Sequence, residues 1–285
     1  MDQRIINLFD EYTHKPLSRE DFLKKLKRLT GSTAAALAVL PFLEINYAKA
    51  ETIHQNDDRL EIERITYPSD GIEMKAYVAR PKKQGKYPAI VVIHENRGLN
   101  PHIEDVTRRA ALQGFLAISP DALSPLGGTP VDTDQARELF TKLDAAKTQT
   151  NFIDVFHYLK TRKDCIEKFG CVGFCWGGAM ANQLAVHVPD LKVAVSFYGR
   201  QPEVADVPKI KATLQLHYGG LDERINAGIP TYEVALKKAG TQYELFIYEG
   251  AQHGFHNDTA PTRYNEAAAK LAWTRAITLF KKELT

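Results

Sequence analysis

Gly173-Phe174-Cys175-Trp176-Gly177 is the stretch whose reading decides the fold. Its spacing, a reactive side chain with a glycine two residues to either side, is that of a sharp strand-to-helix turn. The apolar residues Cys171 to Cys175 lead into it, and an Ala-rich helical pattern over 177–188 follows it. Such a turn forces its central residue into a strained backbone conformation, and the flanking glycines keep neighbouring atoms clear of it. A cysteine at the centre, where serine is the commoner occupant, points to chemistry through a thiolate. Most cysteines among small residues are inert core residues, so the pentapeptide gains its meaning from the rest of the chain.

Outward from the turn, the pattern after residue 58 is regular. Leu60 to Tyr67 and Ile72 to Val78 alternate apolar and polar residues, and Ser69-Asp70-Gly71 between them supplies turn chemistry, which predicts a hairpin. Ala89-Ile90-Val91-Val92-Ile93 is continuously apolar, as a strand buried on both faces is. Further strands are expected over 115–119, 193–197, 212–218 and 243–248. Helices are expected over 101–113, 133–162 (two, broken near Asp144 to Lys147), 229–239 and 262–282. A hairpin followed by alternating strand and helix predicts an α/β fold, a mostly parallel sheet with helices on both faces. No linker divides 59–285, which reads as one domain.

The 285 residues are 44% hydrophobic and 25% charged, with a net charge of +2. That balance, without a Lys/Arg block interleaved with aromatics, gives no basis for nucleic-acid binding. The three cysteines, Cys165, Cys171 and Cys175, lack C-x-x-C spacing, and no H-E-x-x-H occurs, so neither a metal nor another cofactor is expected.

Residues 1–58 stand apart. Ile5, Leu8, Phe9 and Tyr12 share one face of a first short helix, and Ser18 is placed to cap a second. An apolar, alanine-rich run from Leu29 to Leu43 and the A-x-A of Ala48-Lys49-Ala50 resemble an export signal. Ser18-Arg19-Glu20-Asp21-Phe22-Leu23-Lys24 resembles a twin-arginine signal, with Glu20 in place of the second arginine. The run is too short and too Thr/Ser-interrupted for a membrane span. Two readings stand: export to the periplasm with cleavage after Ala50, or a retained helical extension that packs on the main domain of a cytoplasmic protein or pairs two copies of it.

A nucleophile needs a base to take its proton and an acid to orient the base. Asp222 follows the strand ending at Tyr218, and His253 follows the strand ending at Tyr248. The order nucleophile, acid, base, each after a strand, is more specific than any one residue. Asp222 could instead cap a short turn, with Glu223 serving as the acid, and His256 competes with His253. For an oxyanion hole, the main-chain N–H groups of Trp176 and of Asn96, in the loop His94-Glu95-Asn96-Arg97-Gly98, are the candidates. Glu95, a carboxylate at the end of a buried strand, must be paired, with Arg97 or another arginine in the plain reading or as a group tuning the thiol in the sharper one.

Together, Gly173-Phe174-Cys175-Trp176-Gly177-Gly178, Asp222, His253-Gly254-Phe255 and Glu95-Asn96 resemble the dienelactone hydrolases over roughly 60–285. The resemblance implies an α/β-hydrolase fold and metal-free hydrolysis of a small ester or lactone by Cys175, His253 and Asp222. It implies that Glu95 contacts the resting Cys175 thiol, and that Tyr198 borders the site. The best-known members hold a substrate carboxylate with arginines, one of them four residues after the histidine, where this chain has Asn257. Arg97, Arg137 and Arg200 are the candidate replacements. The rival readings are a thioesterase or peptidase on the same scaffold, and a non-catalytic protein that uses Cys175 for redox sensing or its N-terminal helices for assembly.

Overall fold

A computed structural model describes residues 1–15, 17–44 and 51–285. Ala48-Lys49-Ala50 lies outside the described residues. Three helices lead the chain: α1 (Gln3–His14), α2 (Arg19–Thr30) and α3 (Thr33–Leu43). Asp2, Ser18 and Ser32 cap them, each accepting a hydrogen bond from a main-chain N–H of the first turn. Their apolar faces, with Ile5, Phe9, Tyr12, Phe22, Leu26 and Leu43, close on one another as a small core of their own. Among the described residues, no helix is long and apolar enough to cross a membrane.

The remainder alternates as expected. β1 (Leu60–Ser69), β2 (Ile72–Pro81) and β3 (Tyr87–Ile93) precede α4 (Pro101–Leu112) and β4 (Leu116–Pro120). Next come α5 (Thr133–Phe140), α6 (Ala145–Thr161), β5 (Cys165–Phe174), α7 (Trp176–His187) and β6 (Leu191–Phe197). The chain ends with β7 (Thr213–Gly219), α8 (Glu223–Asn226), α9 (Ile229–Ala239), β8 (Tyr243–Tyr248) and α10 (Glu266–Leu284). The eight strands form one sheet in the order β1-β2-β4-β3-β5-β6-β7-β8. β2 pairs antiparallel with β1 and with β4, and every other pairing is parallel.

The sheet is buried on both faces, so the central stretch Ala89 to Ile93 of β3 is apolar at every position. Along β3, Ala89, Val91 and Ile93 point into one core and Ile90 and Val92 into the other. β5 starts at Cys165, six residues earlier than the apolar run suggests. Its first half carries Glu167 and Lys168 and is irregular: Glu167 has φ 56°, and the register against β3 shifts there. Asn265 caps α10, which starts it later than the helical pattern implies. With β3 and β5 to β8 parallel, their carboxyl ends converge on one edge, where open α/β sheets place their sites.

Candidate active site

Cys175 sits between the end of β5 and the start of α7, at φ 56° and ψ −112°. An L-residue held there costs about 1–3 kcal/mol. Its N–H donates to the Phe197 carbonyl at 3.0 Å, and its own carbonyl accepts from Ala179 N–H at 3.1 Å, which fixes the turn from both sides. The glycine spacing follows from contact. A Cβ on Gly173 would lie 1.8 Å from the Gly177 carbonyl oxygen, and one on Gly177 would lie 2.4 Å from that of Ile93. No side chain fits at either position. The sulfur meets the N-terminus of α7, whose dipole favours negative charge.

His253 and Asp222 arrive on the loops after β8 and β7. His253 Nδ1 donates to Asp222 Oδ2 at 2.5 Å, and both side chains are buried. The other oxygen, Oδ1, accepts from Ile225 N–H at 3.2 Å, so Asp222 also caps α8. One carboxylate oxygen thus bonds the imidazole and the other caps the turn. A ring nitrogen of His253 lies within 4.8 Å of the Cys175 sulfur, and Nε2 has no hydrogen-bond partner among the described residues. His256 stacks on Phe174 at 4.8 Å, away from the sulfur, and burial holds it neutral, its pKa well below the usual histidine value.

The residue hydrogen-bonded to the sulfur comes from the N-terminal layer: His14 Nε2, at the end of α1, lies 3.1 Å from Cys175 Sγ. His14 Nδ1 donates to the Asp10 carbonyl at 2.9 Å, with the Asp10 carboxylate 3.1 Å away. The two imidazoles meet edge to face, 4.7 Å between centroids. Burial alone would push the Cys175 thiol up; the positive charge of His14, then that of His253, overcomes it and lowers the thiol to about 6. Burial likewise works against both imidazoliums. The sulfur's negative charge and the Asp222 bond raise His253 to about 10, and the sulfur and Asp10 raise His14. Thiolate, His14 and His253 have the atom types of a metal-ligand set, their ligand atoms within 4.8 Å of one another.

The resemblance implies that Glu95 contacts the thiol. In this structure Glu95 Oε1 accepts from Tyr198 O–H at 3.3 Å and Oε2 from Asn257 Nδ2 at 2.8 Å. Asn257 is buried, its Oδ1 accepting from Thr259. Arg97 lies off the pocket, donating to the Thr133 carbonyl at 2.8 Å beneath α1.

The other candidates do line a cavity of about 400 Å³ beside the sulfur: Asn96, Arg137, Trp176, Tyr198 and Arg200. Thr13, His14, Lys15 and Arg224 also line it. Trp176 is set by stacking on buried His94 at 5.5 Å, and Tyr198 by its own left-handed backbone, φ 40°, with its N–H donating to the His217 carbonyl at 2.7 Å. The sequence reading missed Asp10, His14 and Arg224. The one signal for the first two is a carboxylate and a histidine four residues apart on a helix, common on any surface helix.

The profile of the Dienelactone hydrolase family matches residues 74–284. The chain belongs to that family. An Escherichia coli K12 relative named "Putative carboxymethylenebutenolidase" is 34% identical over 251 residues, covering 82% of this chain and 92% of its own. A shorter E. coli K12 sequence, "Putative hydrolase fragment YghX", is 48% identical over 112 residues, 38% of this chain and 96% of its own. Among solved structures, a Klebsiella pneumoniae "Putative Dienelactone Hydrolase" superposes with TM-score 0.70 at 30% identity, covering 78% of this chain and 98% of its own. A Rhizomucor miehei esterase, TM-score 0.66 over 97% of this chain and 95% of its own, is 13% identical and shows the fold alone. The α/β-hydrolase fold and the family membership make the chain a hydrolase acting on ester bonds.

Proposed function

We propose that the chain hydrolyses small esters or lactones through a cysteine nucleophile. The reading rests above all on one observation: the strained Cys175 turn opens on the 400 Å³ cavity beside a histidine already oriented by a buried carboxylate. Cys175 Sγ attacks the ester carbonyl. The main-chain N–H groups of Trp176 and Asn96 stabilise the oxyanion as dipoles fixed in place before the reaction. His253 protonates the leaving oxygen, then takes a proton from the water that releases the acid. Asp222 keeps the His253 ring in the tautomer that leaves Nε2 free for both steps. Glu95, bonded to Tyr198 and Asn257, fixes the phenol beside the site. Phe140, Trp176 and Ile225 give the cavity apolar walls, with Arg137 and Arg200 at its edge. A compact acyl group, an anionic one included, fits that lining.

The test is turnover of p-nitrophenyl acetate by Cys175→Ala, with intact-mass detection of an acyl adduct on the wild type. Loss of turnover and an acyl mass on Cys175 are expected. An unchanged rate in the alanine variant sinks the reading.

A further inference from the structure

The hydrolytic steps above make no use of His14, although it holds the sulfur. The Nδ1–H of each imidazole is engaged at the rear, His253 on Asp222 and His14 on Asp10, so each presents Nε2 toward Cys175. His14 is in hydrogen-bond contact at 3.1 Å, whereas His253 Nε2 is unpartnered. The division leaves His253 free for substrate and water and gives the sulfur a partner of its own.

The placement of His14 is built, not incidental. The last turn of α1 has main-chain carbonyls without helical partners, and the hydrolase domain supplies donors to them. Asn96 Nδ2 donates to the Thr13 carbonyl at 2.8 Å and Arg137 to the Tyr12 carbonyl at 3.1 Å. Tyr12 O–H donates to Asp134 at 2.9 Å, and the Arg137 guanidinium lies 4.2 Å over the Tyr12 ring. Arg224, from α8, holds Asp10 at 3.4 Å. The imidazole at the end of this helix is 12% exposed, and the negative end of the helix dipole favours its charged form.

We propose that His14, carried on α1 and backed by Asp10, is a second imidazolium partner of Cys175, so that the residues ahead of the sheet complete the catalytic centre. The inference rests on Cys175 being the nucleophile.

In the resting enzyme the thiolate faces two imidazoliums. On attack, the C–S bond forms and the C–O bond breaks, and the departing alkoxide takes the His253 proton. In deacylation, neutral His253 takes a proton from water as its oxygen bonds the thioester carbon, and the C–S bond breaks. His14 keeps its proton throughout. It stabilises the sulfur as nucleophile and again as leaving group.

The other charged groups near the sulfur set the background. From the loops after β7 and β8 there is the Asp222–His253 pair. From the loop after β6 there is Tyr198, with Glu95 of the β3 loop behind it, and Arg200. From α5 and α8 come Arg137 and Arg224, and Lys15 follows His14. Of these, His253 and His14 are the groups placed against the sulfur itself.

The experiment is the pH dependence of Cys175 alkylation by iodoacetamide, read by mass on the Cys175 peptide, with buried Cys165 and Cys171 as internal controls. His14→Gln is expected to move the midpoint up by about one unit, a roughly tenfold slower reaction on the acid limb. kcat/KM for p-nitrophenyl acetate falls with it. Asp10→Asn, which retains the imidazole, moves both in the same direction by less. Coincident midpoints in wild type and His14→Gln overturn the proposal. So does faster turnover in His14→Gln, which would make α1 a plug. A shifted midpoint with normal turnover by Cys175→Ala would leave the His14–Cys175 pairing standing while the cysteine-hydrolase reading falls.

Discussion

Asp222–His253 and Asp10–His14 both hold an imidazole that faces one sulfur, the first through a carboxylate oxygen and the second through the Asp10 main-chain carbonyl with the carboxylate 3.1 Å away, on supports of different kinds. The first pair sits on loops that continue directly from β7 and β8, inside the sheet whose two faces carry the main cores. Its geometry is as stable as the sheet. The second pair sits on a helix with a separate small core, joined to the domain through Asn96, Asp134, Arg137 and Arg224. The polar atoms that define the second pair therefore depend on docking, and those of the first on folding. In the proposed mechanism, the difference separates a pair that serves every turnover from one that adjusts the nucleophile.

The sharpest way to break that contrast is to neutralise each carboxylate in turn. Asp222→Asn leaves the ring in place but favours the wrong tautomer, and a loss of roughly 10³–10⁴-fold in kcat is expected. Asp10→Asn acts only on the charge of the sulfur's second partner and is expected to cost far less. Equal losses in steady-state kinetics would show that the two pairs share one role.

A smaller and differently shaped effect lies in pH. The thiol is lowered to about 6, so thiolate forms as pH rises through that value; His253 is raised to about 10, so its imidazolium is lost as pH rises through that one. The stability each group gains from the other follows the same window, lost below about 6 on the thiolate side and above about 10 on the imidazolium side. kcat/KM is expected to be bell-shaped between these limbs, which belong to the coupled cluster and not to one residue. Removing His14 raises the acid limb and leaves the alkaline one. A wild-type profile that rises only near pH 9, the ordinary thiol range, would contradict the double pairing.

The sheet was legible because each strand carries its own signal. The continuous run Ala89 to Ile93 and the hairpin turn Ser69-Asp70-Gly71 need no distant information, and the Cys175 turn is written in its glycines. Cys175, Asp222 and His253 could be named because strand order converts chain order into proximity. His14 could not be named this way. Asp10 and His14 have the spacing of any solvated helical pair, and what makes them a site is the contact of Asn96, Arg137 and Arg224 with Thr13, Tyr12 and Asp10 of α1, 83 to 214 residues apart along the chain. The hydrogen bond between Glu95 and Asn257 was illegible for a related reason: the two residues lie 162 apart along the chain.

The smallest expected effect tests the support itself. Tyr12 is buried, and its hydroxyl donates to Asp134 from the face of α1 that meets α5. Tyr12→Phe removes one hydrogen bond, worth about 1 kcal/mol, while keeping the ring in the small core. If α1 opens as its own unit, that amount should appear as roughly fivefold faster amide exchange in α1 and its neighbours, with the strands of the sheet unchanged. The Cys175 alkylation midpoint would then rise slightly, because His14 leaves with the helix, whereas His253 stays. Exchange that accelerates equally in α1 and in β5 would mean that the helix and the sheet unfold together, and the second pair would then be as firmly held as the first.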